Sequence, residues 1–274
     1  MSSMGEFASL NSYFEFETSV RLKARFVHDE RTRKFLEVVK ETSTSRLKPL
    51  RKGQRLFRAQ RDFRIMSENV GTEDAVVVEE VETACGRERM VPKAEFVGDG
   101  RVNPSRIPCL YLAMNHNTAM AEVRPWVGSR ISLALFKLSR DCRVVDCSLD
   151  QNRSWEFHIV TEDATAPPAE PSAADKEKGV WGDIAYAFSE PVSADEPHSD
   201  YIPTQVLGEA FRQYGYDGIM YKSLLDKHGI NIALFDLTAA EFVTCCLFAT
   251  KSISFEFAQQ EGNVLISNAL ALPR

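Results

Sequence analysis

Six polar side chains fall at or beside the ends of apolar, strand-like runs in the 274-residue sequence: Arg58, Arg101, Tyr111, Glu122, Ser223 and Asn231. A guanidinium is a planar, permanently charged donor suited to holding an anion. A carboxylate can offset positive charge that develops during a reaction, and a tyrosine offers a flat ring with a polar tip. Each residue also has a plainer reading. An arginine in a charge run is usually a surface ion pair, more so for Arg58 than for Arg101. Taken alone, Glu122 is a helix-surface carboxylate, Tyr111 a half-buried strand residue and Ser223 a turn former. Arg124, close behind Glu122, reads as structural.

Rival chemistries lack their signatures. The sequence has no G-x-x-x-x-G-K-[ST], no G-x-S-x-G and no H-E-x-x-H. Gly98 and Gly100 open a G-x-G, but Asn103 stands where a third glycine belongs and no strand leads in. Cys142 and Cys147 are spaced too widely for a zinc knuckle, no second pair completes four ligands and the five histidines are scattered, so no metal is expected. Six cysteines, two of them adjacent (Cys245 and Cys246), read as reduced thiols rather than a disulfide framework.

The elements that must position these residues follow from periodicity and punctuation. Residues 13–42 read as two amphipathic helices with a charged break near 28–33. Strands are expected at 55–59, 76–81, 109–113, 131–138, 143–147, 218–221 and 231–235, with two more in the tail segments EFVTCCLFAT and SISFEF. Asn115–Thr118 offers caps for a short helix that Pro125 closes. Thr204 is expected to cap a helix with Val206, Leu207, Ala210, Phe211 and Tyr214 on one face, ended by Gly215. Residues 150–200 hold 12 acidic residues, 3 basic residues and five prolines. They read as an acidic surface excursion with one buried patch, VWGDIAYAF. Short strands interleaved irregularly with helices indicate the α+β class.

A net charge of −6 argues against general nucleic-acid binding, although residues 21–64 carry a local +10. No apolar run reaches the length of a membrane span, and the N-terminal residues lack the order of a secretory signal. The expectation is a cytoplasmic protein.

Read together, the segments resemble a known family. GRVNPSRIPCLYLAMNHNTAMAEVRP (100–125) is similar to the core of the RES family, with its Gly-Arg turn, Asn-Pro, "LY-x-A" strand and "A-x-x-E-V" helix in order. GYDGIMYKSLLDKHGINIALF (215–235) resembles the family's "G-x-D-G-I-x-Y-x-S … N-x-x-L-F", and Leu56-Phe57-Arg58-Ala59 its opening strand. The resemblance implies a bent, split β-sheet like that of the ADP-ribosyltransferase catalytic core, with helices around a cleft. It implies NAD+ as substrate, with no further cofactor and with phosphate as a possible co-substrate. In the family's terms Glu122, Arg101 and Ser223 are catalytic, while Arg58, Tyr111 and Asn231 bind NAD+. It also implies an antitoxin partner of the helix-turn-helix type and a homodimer.

The domain reading is an N-terminal helical extension over 1–48, a RES catalytic domain over 49–240 and C-terminal strands over 241–274 packing on it. The activity this implies is cleavage of the nicotinamide–ribose bond of NAD+ by hydrolysis or phosphorolysis, as the toxin of a toxin–antitoxin pair. Its transition state is oxocarbenium-like and calls for a carboxylate at the ribose. Two alternatives stay open: a mono-ADP-ribosyltransferase acting on a specific protein, and a non-catalytic module that docks a partner on the basic stretch.

Overall fold

A computed structural model describes residues 5–72, 75–149, 170–190 and 198–254. Two N-terminal helices, α1 (Ser12–Leu22) and α2 (Glu30–Ser43), form where the periodicity places them, and Asp29 caps α2 by accepting from the Thr32 amide at 2.8 Å. Strands β1 (Leu47–Leu50) and β2 (Arg55–Gln60) follow, then a ribbon of β3 (Arg64–Thr72) and β4 (Ala75–Thr83) that pair only with each other. After a short helix α3 (Arg87–Met90) come β5 (Leu110–Ala113), α4 (His116–Glu122), β6 (Arg130–Leu138) and β7 (Cys142–Asp146). The remaining elements are α5 (Ala173–Ser189), α6 (Ile202–Gln213), β8 (Gly218–Lys222), β9 (Ile230–Leu234) and β10 (Ala240–Ala249).

Eight strands make one mixed sheet in the order β1-β7-β8-β9-β5-β2-β6-β10, with only β7 and β8 parallel. The sheet is nearly severed in the middle. β5 and β2 are in register at a single pair, Phe57 with Ala113, whereas β2 pairs with β6 over six residues. This is the split α+β sheet expected from the resemblance. Strand alternation sends Val145, Ile219, Tyr221 and Ala233 to one face and Val144, Met220, Ile232 and Leu234 to the other. The first face is covered by α1, α2, α5 and α6, so the N-terminal helices share a core with the sheet through Phe16, Val20, Phe35 and Val39.

The structure differs from the sequence reading in four places, the first being β3, a strand over 64–72 that was not expected. Within 150–200, residues 173–189 form a helix whose Val180, Trp181, Ile184 and Phe188 are fully buried, so the VWGDIAYAF patch is a core helix; 150–169 and 191–197 lie outside the described residues. Its start is a capping box, with Ser172 and Asp175 bonding each other's backbone, hidden in an acidic, alanine-rich stretch. α6 begins at Ile202 because Pro203 suits a first helical turn, and the Thr204 hydroxyl donates to the Tyr201 carbonyl instead of capping. β1 forms across Pro49, where no strand was expected; β1 has one paired neighbour, β7, and an edge tolerates proline. The last three residues of SISFEF lie outside the described residues. Among the described residues no helix is long and apolar enough to cross a membrane.

Four arginines of the basic stretch are neutralised locally. Arg21 pairs with Glu17 and with Asp200 of the acidic segment, Arg33 with Glu30, Arg51 with Asp141 and Arg64 with Glu88.

Candidate active site

The split between β5 and β2 opens into a cavity of about 230 Å³. β2 contributes Phe57 to Gln60, β5 Tyr111 to Ala113, β8 Tyr221 and β9 Asn231, while α4 lies across one side with Ala119, Glu122 and Val123. The A-x-x-E spacing explains that placement. Positions i and i+3 share a helix face, so Ala119 packs with Ala59 and Ala113 while Glu122 ends the helix above the cavity. Asn115 starts the helix by accepting from the Thr118 amide at 2.8 Å.

Glu122, Ser223 and Asn231 converge although they stand on three elements. Ser223 Oγ donates to Glu122 Oε1 at 2.6 Å and Asn231 Nδ2 donates to the same oxygen at 2.7 Å. Oε2 accepts no hydrogen bond among the described residues, and the residue is exposed. Ser223 is itself fixed, because its Oγ accepts from the amides of Leu225 and Asp226, both at 3.2 Å. Asp226 in turn accepts from the Thr118 hydroxyl of α4, tying the Ser223 loop to the helix that bears Glu122.

Arg58 reaches the same cavity. One of its Nη atoms donates to the Tyr111 carbonyl at 3.1 Å, while its buried Nε has no partner. Burial pulls its pKa down to about 10, helped by Arg89 nearby, and no carboxylate pairs with it among the described residues. A desolvated cation on a cavity wall, with no carboxylate paired to it, is suited to an anionic or strongly polar ligand oxygen.

Arg101 and Tyr111 are spent differently. Arg101 donates to the Ala187 carbonyl near the end of α5 at 2.9 Å and lies 6.0 Å from the ring centroids of both Tyr201 and Tyr221. It is not among the residues lining the cavity. The Tyr111 hydroxyl donates to Asn103 Oδ1 at 2.7 Å and accepts from the Val102 amide at 2.9 Å, so its ring lines the cavity while its polar tip is used elsewhere. Burial, chiefly, raises its pKa well above the ordinary tyrosine value. Asn103 also donates to the Gly98 and Pro104 carbonyls, and Gln205 to those of Gly100 and Asn103. A Cβ on Gly100 would lie 2.8 Å from the Tyr111 hydroxyl, which is why a glycine precedes Arg101.

The structure therefore brings together Glu122, Ser223, Asn231, Arg58 and the Tyr111 ring, with Arg101 one layer behind Tyr221. Sequence reasoning missed Tyr221, which is buried, lines the cavity, pairs with Asn231 across the strands and has its pKa raised mainly by burial. The signal was present: strand alternation puts it on the Ile219 face. Phe57 and Gln60 were also missed, and they flank Arg58 on β2.

A family model described as the RES domain matches residues 88–257, a stretch that contains Arg101, Tyr111, Glu122, Ser223 and Asn231 but not Arg58. No curated protein matches. Among solved structures, the chain is similar to one in the crystal structure of the M. tuberculosis MbcT–MbcA toxin–antitoxin complex, with 12% identity and a TM-score of 0.41. That similarity covers 77% of this chain and 92% of the other.

Proposed function

The chain belongs to the RES domain family, and on that premise we propose that it cleaves the nicotinamide–ribose bond of NAD+ at the Glu122 corner. The observation that carries the reading is a cavity-lining carboxylate gripped on one oxygen by Ser223 and Asn231, with its other oxygen accepting no hydrogen bond among the described residues. Two donors on Oε1 fix the orientation of the group, so little reorganisation is needed when charge develops on the sugar.

In the reaction the C1′–N bond breaks, its electron pair leaves with nicotinamide, and positive charge spreads over C1′ and the ring oxygen. Glu122 faces that charge and hydrogen-bonds the ribose hydroxyls. The vacated carbon takes the oxygen of water, which loses a proton, or an oxygen of phosphate. Ser223 and Asn231 hold Glu122, and Arg58 offers its guanidinium charge to a substrate oxygen at the cavity wall. The rings of Tyr111 and Tyr221 frame the nicotinamide, while Arg101 acts through the Tyr221 and α5 contacts. The biological role that goes with this activity is that of a toxin restrained by a partner antitoxin.

The test is the purified protein with NAD+ in the presence and absence of phosphate, following nicotinamide and the ribosyl product by chromatography. Free nicotinamide with ADP-ribose, or with its phosphorylated counterpart, supports the proposal. Label from NAD+ accumulating on a protein would replace it with ADP-ribosyl transfer, and no loss of NAD+ would refute it.

A further inference from the structure

A cavity of about 230 Å³ falls below the roughly 300–1,000 Å³ of sites that enclose a drug-sized ligand. Resting on the reading that NAD+ is the substrate, its nicotinamide riboside half fills this space and the adenosine half must leave through the mouth. Gln60 at the end of β2 and Val123 after α4 both line the cavity. One residue beyond Gln60 is Arg61, and three beyond Val123 is Trp126.

These two residues make a built platform. The Arg61 guanidinium lies over the Trp126 ring, 4.6 Å from its centroid, and one Nη donates to the Arg124 carbonyl at 3.4 Å. Trp126 sits in a tight turn, its amide donating to Ser129 Oγ at 2.9 Å and its carbonyl accepting from the Ser129 amide at 3.0 Å. A tryptophan held this firmly is expected to be covered, yet its exposure is 61%. Arg61 forms no ion pair among the described residues, whereas its neighbours Arg64 and Arg89 both do.

We propose that this pair is the adenosine-diphosphate subsite: the adenine stacks on the Trp126 indole and Arg61 donates to the pyrophosphate. An indole face is the strongest stacking partner a side chain offers a base, and a guanidinium beside it supplies the charge-assisted donors a pyrophosphate needs. Because the turn and the cation–π contact already hold the ring, little side-chain entropy is lost on binding. The site takes the ADP half of a dinucleotide and discriminates NAD+ from substrates that end at the nicotinamide ribose.

The experiment compares the wild type with Trp126→Ala and Arg61→Met in two measurements: titration with ADP-ribose and with AMP by calorimetry, and steady-state cleavage of NAD+ and of nicotinamide riboside. Either variant should weaken ADP-ribose binding and raise KM for NAD+ by about tenfold or more, with kcat and nicotinamide riboside cleavage unchanged. Trp126→Phe keeps a ring and should recover most of the affinity, which separates stacking from damage to the turn. ADP-ribose bound equally by wild type and both variants overturns the subsite, and would move the adenosine half to the cavity of about 430 Å³ behind Ser223. The two readings fail separately. NAD+ cleavage that ignores Trp126 leaves the function and removes the subsite. Trp126-dependent binding of ADP-ribose without any cleavage leaves the subsite and removes the function.

Discussion

The Glu122 corner and the Gly100–Asn103 turn are both dense in hydrogen bonds, and both were marked out by sequence as catalytic ground. They differ in what they leave unspent. Around Glu122, donors from β9 and from the loop after β8 meet on one oxygen of a cavity-lining carboxylate and leave the second without a hydrogen bond among the described residues. Around Arg101 the neighbouring polar groups close on one another, Tyr111 with Asn103 and Val102 and Asn103 with two carbonyls, while Arg101 itself gives one donor to the last turn of α5 and stands outside the cavity lining. A polar cluster that satisfies itself is architecture, and one that ends in an unused valence facing a cavity is a site. Arg58 sorts with Glu122, because it lines the same cavity and no carboxylate pairs with it among the described residues.

That contrast is broken or sharpened by four substitutions. The largest effect is expected for Glu122→Gln, which keeps shape and hydrogen-bonding capacity while removing the charge. Nicotinamide release should fall by about a thousandfold, in line with removal of an electrostatic stabiliser, with an unchanged melting temperature. Arg58→Met comes next and should move two readouts in opposite directions. Apparent affinity for NAD+ should fall by about a hundredfold, since a charge-assisted contact in a closed site is lost. The ligand-free protein should gain about 1 kcal/mol, because a desolvated cation without a carboxylate partner burdens the empty fold. At this chain length, that gain is a rise of roughly 2–4 °C in Tm by calorimetry.

Ser223→Ala removes one of the two donors to Glu122 and should lower kcat by about tenfold while KM stays near its original value. Arg101→Met is the control for the opposite class. It should lower stability by about 1–2 kcal/mol through the lost contact at the end of α5, with turnover changed by less than about tenfold. Urea denaturation beside the activity assay reads both quantities. If Arg101→Met instead abolishes turnover in a fully stable protein, the division between the two regions is wrong.

Much of this was legible in the sequence. The strands carrying Arg58, Tyr111 and Asn231 and the helix carrying Glu122 follow from periodicity and caps, and the residues that converge on Glu122 were all named. What escaped was of two kinds. Helix α5 was hidden because its capping box sits in an acidic, proline-flanked stretch that on composition alone reads as surface, while its apolar face is set by a core made from distant α1, α2 and α6. The separate fates of Arg58 and Arg101 were hidden for a different reason. Both are arginines at strand or turn positions and both donate to a backbone carbonyl, Arg58 to Tyr111 and Arg101 to Ala187, and only the packing of β5 and α5 decides which of them lines the cavity. A sequence states which donors exist, and packing decides which are used up. Tyr221 shows the same limit from the other side, since its strand was recognised but the cavity beside it arises from the split between β5 and β2, 100 and more residues away in the chain.

The most direct test sets Glu122→Gln beside Arg101→Met in one assay, measuring initial rates of nicotinamide release from NAD+ at matched folded concentrations. The two-region account predicts a Glu122→Gln rate lower than that of Arg101→Met by about a hundredfold or more. Equal rates for the two variants, or an Arg101→Met rate below that of Glu122→Gln, would contradict it.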